Sequence, residues 1–198
     1  MGILSNLLSG YKARKFFDSG RNFYDLGKYE ECVKAFIEAV RLNPNFAEAY
    51  GLMGAAYGML GRFQDSIESS KEAIRLKPDF FLAYNSLVGA YLMLGKNQEA
   101  IDASKQALRF KPDFAERYIC RGAVYGNLGL YQESLDAAKQ AVMLSPNNGE
   151  AQRALGAAYY ALGRNQEAIN AFKEAIRLNP DDITAHPGLA LCLPQTPY

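Results

Sequence analysis

Side chains able to hold a metal, carry a proton or attack a carbonyl are scarce in this chain, which has one histidine and three cysteines in 198 residues. Acid–base and nucleophilic catalysis need a base, a nucleophile or a metal in a supported geometry. His186, beside Pro187, offers neither a triad nor a metal set. Cys32, Cys120 and Cys192 are odd in number, lie far apart and form no CxxC pair. That argues against a disulfide framework or a zinc site, and for a reducing compartment, with the cytoplasm as the default. The glycines recur at a fixed interval and do not cluster as a phosphate-cradling loop. The sequence therefore predicts no enzyme, no cofactor and no metal.

Charge does not name a ligand. Lysine and arginine number 22 against 21 aspartates and glutamates, a net charge of +1 spread along the whole chain. No basic tract points to nucleic acid and no acidic tail to a charged partner. The opening "MGILSNLLSGYKARK" places its cations after its apolar stretch and shows no small-residue cleavage site, so it is a poor signal peptide. Met1-Gly2 lacks the Ser or Thr that an acylation motif places where Asn6 stands. No apolar run approaches the ~20 residues that cross a bilayer, so the chain is expected to be soluble or at most peripheral.

What organises the sequence is a period. Pro44, Pro78, Pro112, Pro146 and Pro180 stand 34 residues apart, and with each proline set thirty-second the units are 13–46, 47–80, 81–114, 115–148 and 149–182. Gly27, Gly61, Gly95, Gly129 and Gly163 fall fifteenth, each after a leucine. A glycine there can take the left-handed conformation that closes a helix, with the leucine packing back on it. Phe23, Tyr57, Tyr91, Tyr125 and Tyr159 recur at the eleventh place, and Ala39, Ala73, Ala107, Ala141 and Ala175 at the twenty-seventh. Small residues let two helices approach, and a large ring fills the space toward the next pair. After the prolines come Asn45, Asp79, Asp113, Asn147 and Asp181, with Glu48, Glu116 and Glu150 three residues on in three units. These predict N-caps and capping boxes.

With these landmarks the chain resembles the tetratricopeptide repeat (TPR) family over 13–182, five copies in one register. Two places depart from the family's pattern: Gln152 replaces the aromatic fourth residue, and Val88 the small eighth one. The resemblance implies an all-α, right-handed superhelical solenoid of helix–turn–helix hairpins. Residues 1–12 are read as an N-terminal extension, either helical or a frayed end. In 183–198, the stretch 183–193 is read as a capping helix that packs Ala185, Leu189, Ala190 and Leu193 over the last apolar face, followed by a tail.

By the same resemblance, the second, fifth, ninth, twelfth and thirteenth residues of each first helix line a concave groove. The first unit would present Arg14, Phe17, Arg21 and Tyr24. Met59 follows from the second unit, Leu82, Asn85, Leu92 and Met93 from the third, Ile119 and Asn127 from the fourth, and Arg153 and Tyr160 from the fifth. Gly51, Gly58, Gly89 and Gly126 would keep the floor low. Exposed Met59, Leu82, Leu92, Met93 and Ile119 would make an apolar patch, which on such a surface marks an interaction site. Arg14, Arg21 and Arg153 at its ends suit an amphipathic helix or extended segment with acidic flanks. The family's carboxylate clamp for chaperone tails is disfavoured, because Phe17, Arg21, Leu52, Leu82 and Ser86 stand where it needs Lys, Asn, Asn, Lys and Arg.

The reading is a non-catalytic scaffold that binds a peptide or helical segment of an unidentified protein, with no nucleic acid and no membrane span. Two alternatives stay open: a homo-oligomer in which terminal segments dock in a neighbour's groove, and an accessory subunit of a separately encoded enzyme. The turn geometry yields a direct test. Gly129→Val should lower stability by at least ~1 kcal/mol in a thermal melt, because a β-branched residue is strained in the left-handed region.

Overall fold

The computed structural model describes residues 2–110 and 114–192, with side chains from Leu8 onward. Among the described residues there are eleven α-helices and no strand: α1 (Gly2–Asp25), α2 (Tyr29–Leu42), α3 (Ala47–Met59), α4 (Phe63–Leu76), α5 (Phe81–Met93), α6 (Asn97–Phe110), α7 (Ala115–Asn127), α8 (Tyr131–Leu144), α9 (Gly149–Ala161), α10 (Asn165–Leu178) and α11 (Ala185–Cys192). The chain divides into two compact units, Met1–Ala103 and Ser104–Tyr198.

Each hairpin turn is made the same way. Gly27, Gly61, Gly95, Gly129 and Gly163 hold φ between 68° and 74°. In the first turn the Gly27 N–H donates to the Tyr24 carbonyl at 3.0 Å and the Lys28 N–H to the Phe23 carbonyl at 2.9 Å. This pair of bonds occupies two carbonyls that the end of α1 would otherwise leave unpaired. The other four turns repeat it, with Arg62, Lys96, Leu130 and Arg164 bonding the eleventh-place residues Tyr57, Tyr91, Tyr125 and Tyr159, all at 2.9 Å. Arg62 and Arg164 also lay their guanidinium groups over the Tyr57 and Tyr159 rings, at 4.5 and 4.6 Å. The leucine before the glycine varies: Leu60 packs on the core, whereas Leu26 stays exposed.

The helix starts differ from the sequence expectation. After Pro44 the chain turns so that the Phe46 N–H meets the Asn43 carbonyl at 3.1 Å, and the Asn43 side chain takes the Asn45 N–H at 3.2 Å. The cap position therefore falls one residue later, on Phe46, and Phe80 and Phe114 occupy it in the next two units without a side-chain cap. Packing wins over capping here, since burying a phenyl ring is worth about 1.5–3 kcal/mol and a cap about 1. Phe46 stacks on Phe17 with centroids 4.6 Å apart. Glu48 does not close a capping box; it pairs with Lys77 at 3.0 Å. Where the residue after this turn is polar the cap returns. Asn148 Oδ1 accepts from the Ala151 N–H at 3.1 Å, and Asp182 Oδ1 accepts from the N–H groups of Thr184 and Ala185 at 2.8 and 3.2 Å. Pro112 and Asp113 lie outside the described residues.

In the first unit, Phe17, Cys32, Val33, Phe36 and Ala39 of α1 and α2 pack with Ala49, Met53, Ala56 and Tyr57 of α3. Close approach is enforced by absent side chains: a Cβ on Gly20 would lie 2.7 Å from the Phe36 ring, and one on Gly54 2.6 Å from Ser70 Oγ. Ser66 binds the two helices further, its hydroxyl donating to the Gly54 carbonyl at 2.7 Å. The second unit repeats this bond from Ser134 to Gly122 at 2.8 Å. There the buried Arg117 guanidinium also donates to the Ala107 carbonyl, closing the last turn of α6.

At the end of the second unit, α11 covers Phe172. The ring lies between Gly156 of α9 and Gly188 of α11, where added Cβ atoms would come within 2.9 and 2.6 Å of it. Ala185 and Cys192 are buried and Leu189 packs beside them, but Ala190 faces solvent and Leu193 lies outside the described residues. At the other end, α1 begins at Gly2 and runs without a break into the first hairpin.

Thr184 hydrogen bonds hold the Asp182 carboxyl below the ordinary aspartate range despite some burial. A depressed folded-state pKa stabilises above the unfolded value, and that contribution disappears as pH falls through the folded one. Asp182→Ala should cost about 1 kcal/mol at neutral pH, with hydrogen-exchange protection lost in α11, and the gap to wild type should close in acid.

Candidate functional site

Among the described residues, each unit carries a cleft between successive first helices. In the first unit, Gly58 of α3 and Gly89 and Ala90 of α5 form the floor of a 340 Å³ cleft, and Tyr24, Met59, Phe63, Leu82 and Met93 form its walls. Met59 and Met93 are 60% and 66% exposed. Asn85 and Ser86 add polar groups, and no charged side chain lines the cleft. The Ser86 hydroxyl is spent on the Leu82 carbonyl at 3.1 Å, while the Asn85 Oδ1 is buried without a hydrogen-bond partner. In the second unit, a 370 Å³ cleft lies between α7 and α9, over Gly122, Ala123, Gly126, Ala154 and Ala157. Ile119, Asn127, Tyr131, Glu150 and Arg153 border it.

The predicted groove residues thus separate into three sets. Tyr24, Met59, Leu82, Asn85 and Met93 share the first cleft, and Ile119, Asn127 and Arg153 share the second. Phe17 is no groove residue, because it is buried between Phe36 and Phe46. Ile119, expected to be exposed, is buried at the base of its cleft. Leu92 is half-buried and lines neither cleft. Tyr160 and Arg21 are exposed on α9 and α1, outside both.

Two of the expected flanking cations are engaged within the chain. Arg14 pairs with Asp18 at 3.3 Å and lies over the Phe17 ring at 5.2 Å. Arg153 bridges Glu150 and Asp182 at 3.5 and 3.4 Å. Burial pushes the Glu48 carboxyl up, but the Lys77 ammonium and a backbone N–H together pull it further down, so it titrates below the ordinary range.

The glycines are not equivalent. A Cβ on Gly51 would lie 2.4 Å from the Phe80 ring, so this glycine is filled from above and is not floor. A Cβ on Gly89 would meet nothing within 4 Å. Packing does not require glycine at 89, and its effect is to leave the cleft deep. Sequence register gave no means of telling these two apart, because the difference lies in whether a ring from the following loop reaches over the helix.

The reactive side chains stand apart from both clefts. Burial, with the Asp25 carboxylate beside it, pushes the Cys32 thiol up to about 12, and burial alone pushes Cys120 to about 11 and raises Cys192. A thiolate is the nucleophilic form, and burial disfavours it at all three. His186 Nε2 lies 3.1 Å from the Pro180 carbonyl oxygen at the surface. Among the described residues there is no group of three or more His, Cys, Asp or Glu placed to hold a metal, and no helix long and apolar enough to cross a membrane.

Comparison with known proteins agrees with this architecture. A family model described as "TPR repeat" matches residues 20–61, 89–129 and 156–193, and one described as "Tetratricopeptide repeat" matches 47–80 and 115–148. No curated protein matches the chain. Among solved structures, it is similar to TTC0263, a thermophilic TPR protein of Thermus thermophilus, at 26% identity and a TM-score of 0.77 over 91% of this chain and 98% of that one. It is also similar to MamA, at 26% identity and a TM-score of 0.66 over 95% of this chain and 100% of that one. YrrB, described as a TPR protein with an unusual peptide-binding site, shares 18% identity and a TM-score of 0.62 over 90% and 91%, a likeness of fold.

The glycine contrast can be measured. Gly89→Ala should raise stability by up to about 1 kcal/mol through helix propensity alone. Gly51→Ala should lower it by about 1 kcal/mol or more, since overpacking a filled site costs roughly 1–3 kcal/mol and exceeds the same propensity gain. Paired thermal melts check both signs.

Proposed function

The chain belongs to the tetratricopeptide repeat family, and we propose that it is a non-catalytic scaffold holding a segment of a partner protein in the cleft between α3 and α5. One observation carries this reading: Met59 and Met93 stand exposed over a glycine floor that core packing does not demand at Gly89. Methionine is flexible and polarisable, and serves surfaces that accept varied apolar contours. The absence of charge from the lining selects an apolar face, either that of an amphipathic helix or alternate side chains of an extended strand. The unpartnered Asn85 amide oxygen supplies a polar group that the fold leaves unused, available to a partner's backbone N–H once the amide turns. Acidic flanks are not part of this proposal, because Arg14 and Arg153 already have carboxylates. Three free thiols, two of them buried, support a reducing compartment such as the cytoplasm as its place of action.

Selection from a displayed peptide library against the wild-type chain, with Met59→Glu/Met93→Glu as the counter-target, tests the site. Peptides rich in apolar residues should bind the wild type and lose at least tenfold in affinity for the variant. Its melt should move by less than ~0.5 kcal/mol, since both positions are exposed. Ligands that bind both forms equally would place recognition elsewhere.

A further inference from the structure

Between Leu8 and Lys15, α1 turns two large apolar side chains away from the fold. Ser9 faces α2, its hydroxyl donating to the Leu42 carbonyl at 2.9 Å, and Ala13 and Phe17 are buried one and two turns further on. Leu8 and Tyr11 point the other way and are 58% and 72% exposed. Residues three and four apart are neighbours on a helix, so Leu8, Tyr11, Lys12 and Lys15 make one exposed stripe. Packing gives no reason for apolar side chains there.

The charge beside that stripe is one-sided. From Gly2 to Phe17 the sequence has Lys12, Arg14 and Lys15 and no acid, in a chain whose charges otherwise balance to +1. The first carboxylate, Asp18, is already paired with Arg14. Outward apolar residues beside cations on one exposed stripe offer the two contacts an anionic bilayer surface takes, apolar burial at the headgroup boundary and charge toward the headgroups.

We propose that the outer face of the N-terminal half of α1 docks on an anionic lipid bilayer. Leu8 and Tyr11 enter the boundary between headgroups and acyl chains, and Lys12 and Lys15 meet the lipid phosphates and carboxylates. Charge separates this occupant from a second copy of the chain. Two copies meeting through this face would set Lys12 and Lys15 against their own counterparts, with only Asp18 to offset them. Attachment of this kind leaves the α3–α5 cleft open to its ligand, because α1 contributes only Tyr24 to it, from the opposite end of the helix.

Sedimentation of the full chain with vesicles tests the proposal. It should bind vesicles of phosphatidylcholine mixed with phosphatidylserine and ignore vesicles of phosphatidylcholine alone. Binding should weaken steeply toward about 0.5 M salt, where screening shortens to a few ångströms. Lys12→Gln with Lys15→Gln should reduce the partition coefficient roughly thirtyfold, from the usual contribution of a cation at an anionic surface. Leu8→Ser with Tyr11→Ser should abolish binding while leaving the melt unchanged. Absence of binding to the anionic vesicles, or binding that neither pair of substitutions weakens, would overturn the proposal. So would light scattering in which the same substitutions turn a dimer into a monomer without any vesicle binding, because the face would then belong to a second copy.

Discussion

Everything in this structure depends on a backbone that reverses direction at a glycine near φ +70° every 34 residues. A non-glycine residue seldom holds that conformation. Held there, it brings the next N–H back onto the carbonyl of the eleventh residue and lets the chain start its second helix at once. Lys28, which finishes α1, also starts α2, its carbonyl accepting from the Cys32 N–H at 2.9 Å. With so little chain between them, the two helices can only lie against each other, and the alanine at the twenty-seventh place is then buried in every unit. Because each hairpin leaves an apolar face, it needs a neighbour, and for the α9–α10 hairpin α11 supplies one by covering Phe172.

Glycine appears in three physical roles, which an imagined Cβ separates. At Gly27 and its equivalents the dihedral angle forbids a side chain although nothing stands nearby. At Gly20, Gly54 and Gly156 the dihedral is ordinary and the neighbouring helix forbids it. At Gly89 neither holds. A glycine inside a helix costs about 1 kcal/mol relative to alanine, and at Gly89 the fold returns nothing for that cost. What the missing side chain does affect is the depth of the α3–α5 cleft.

The period, the turns, the buried alanines and the aromatic eleventh places were all legible in the sequence, because each follows from chain geometry that repeats. What a repeat cannot convey is contact made by residues outside its pattern. Phe46 and Phe80 sit in loops where the pattern promised only polar caps, and they reach back to bury Phe17 and to fill the space over Gly51. Both effects removed residues from the expected groove. Arg14 and Arg153 were read as flanking charges for a partner, although Asp18 and Glu150 stand at the four- and three-residue spacings that pair on a helix; only the Arg153–Asp182 contact, made to a residue in a loop, had no such signal. Ile119 kept its register but sank, because the floor about it in α7 and α9 is glycine and alanine.

The methionines make the central claim observable. Met59 and Met93 border the α3–α5 cleft, Met53 is buried in the first unit's core, and Met143 is exposed on α8 outside both clefts. Methyl NMR of the methionine-labelled chain, titrated with a selected peptide, reads all of them in one spectrum. The account predicts that the Met59 and Met93 methyl signals shift together and saturate with the peptide while Met53 and Met143 stay in place. Saturable binding that moves Met143, or that leaves Met59 and Met93 unmoved, would contradict it.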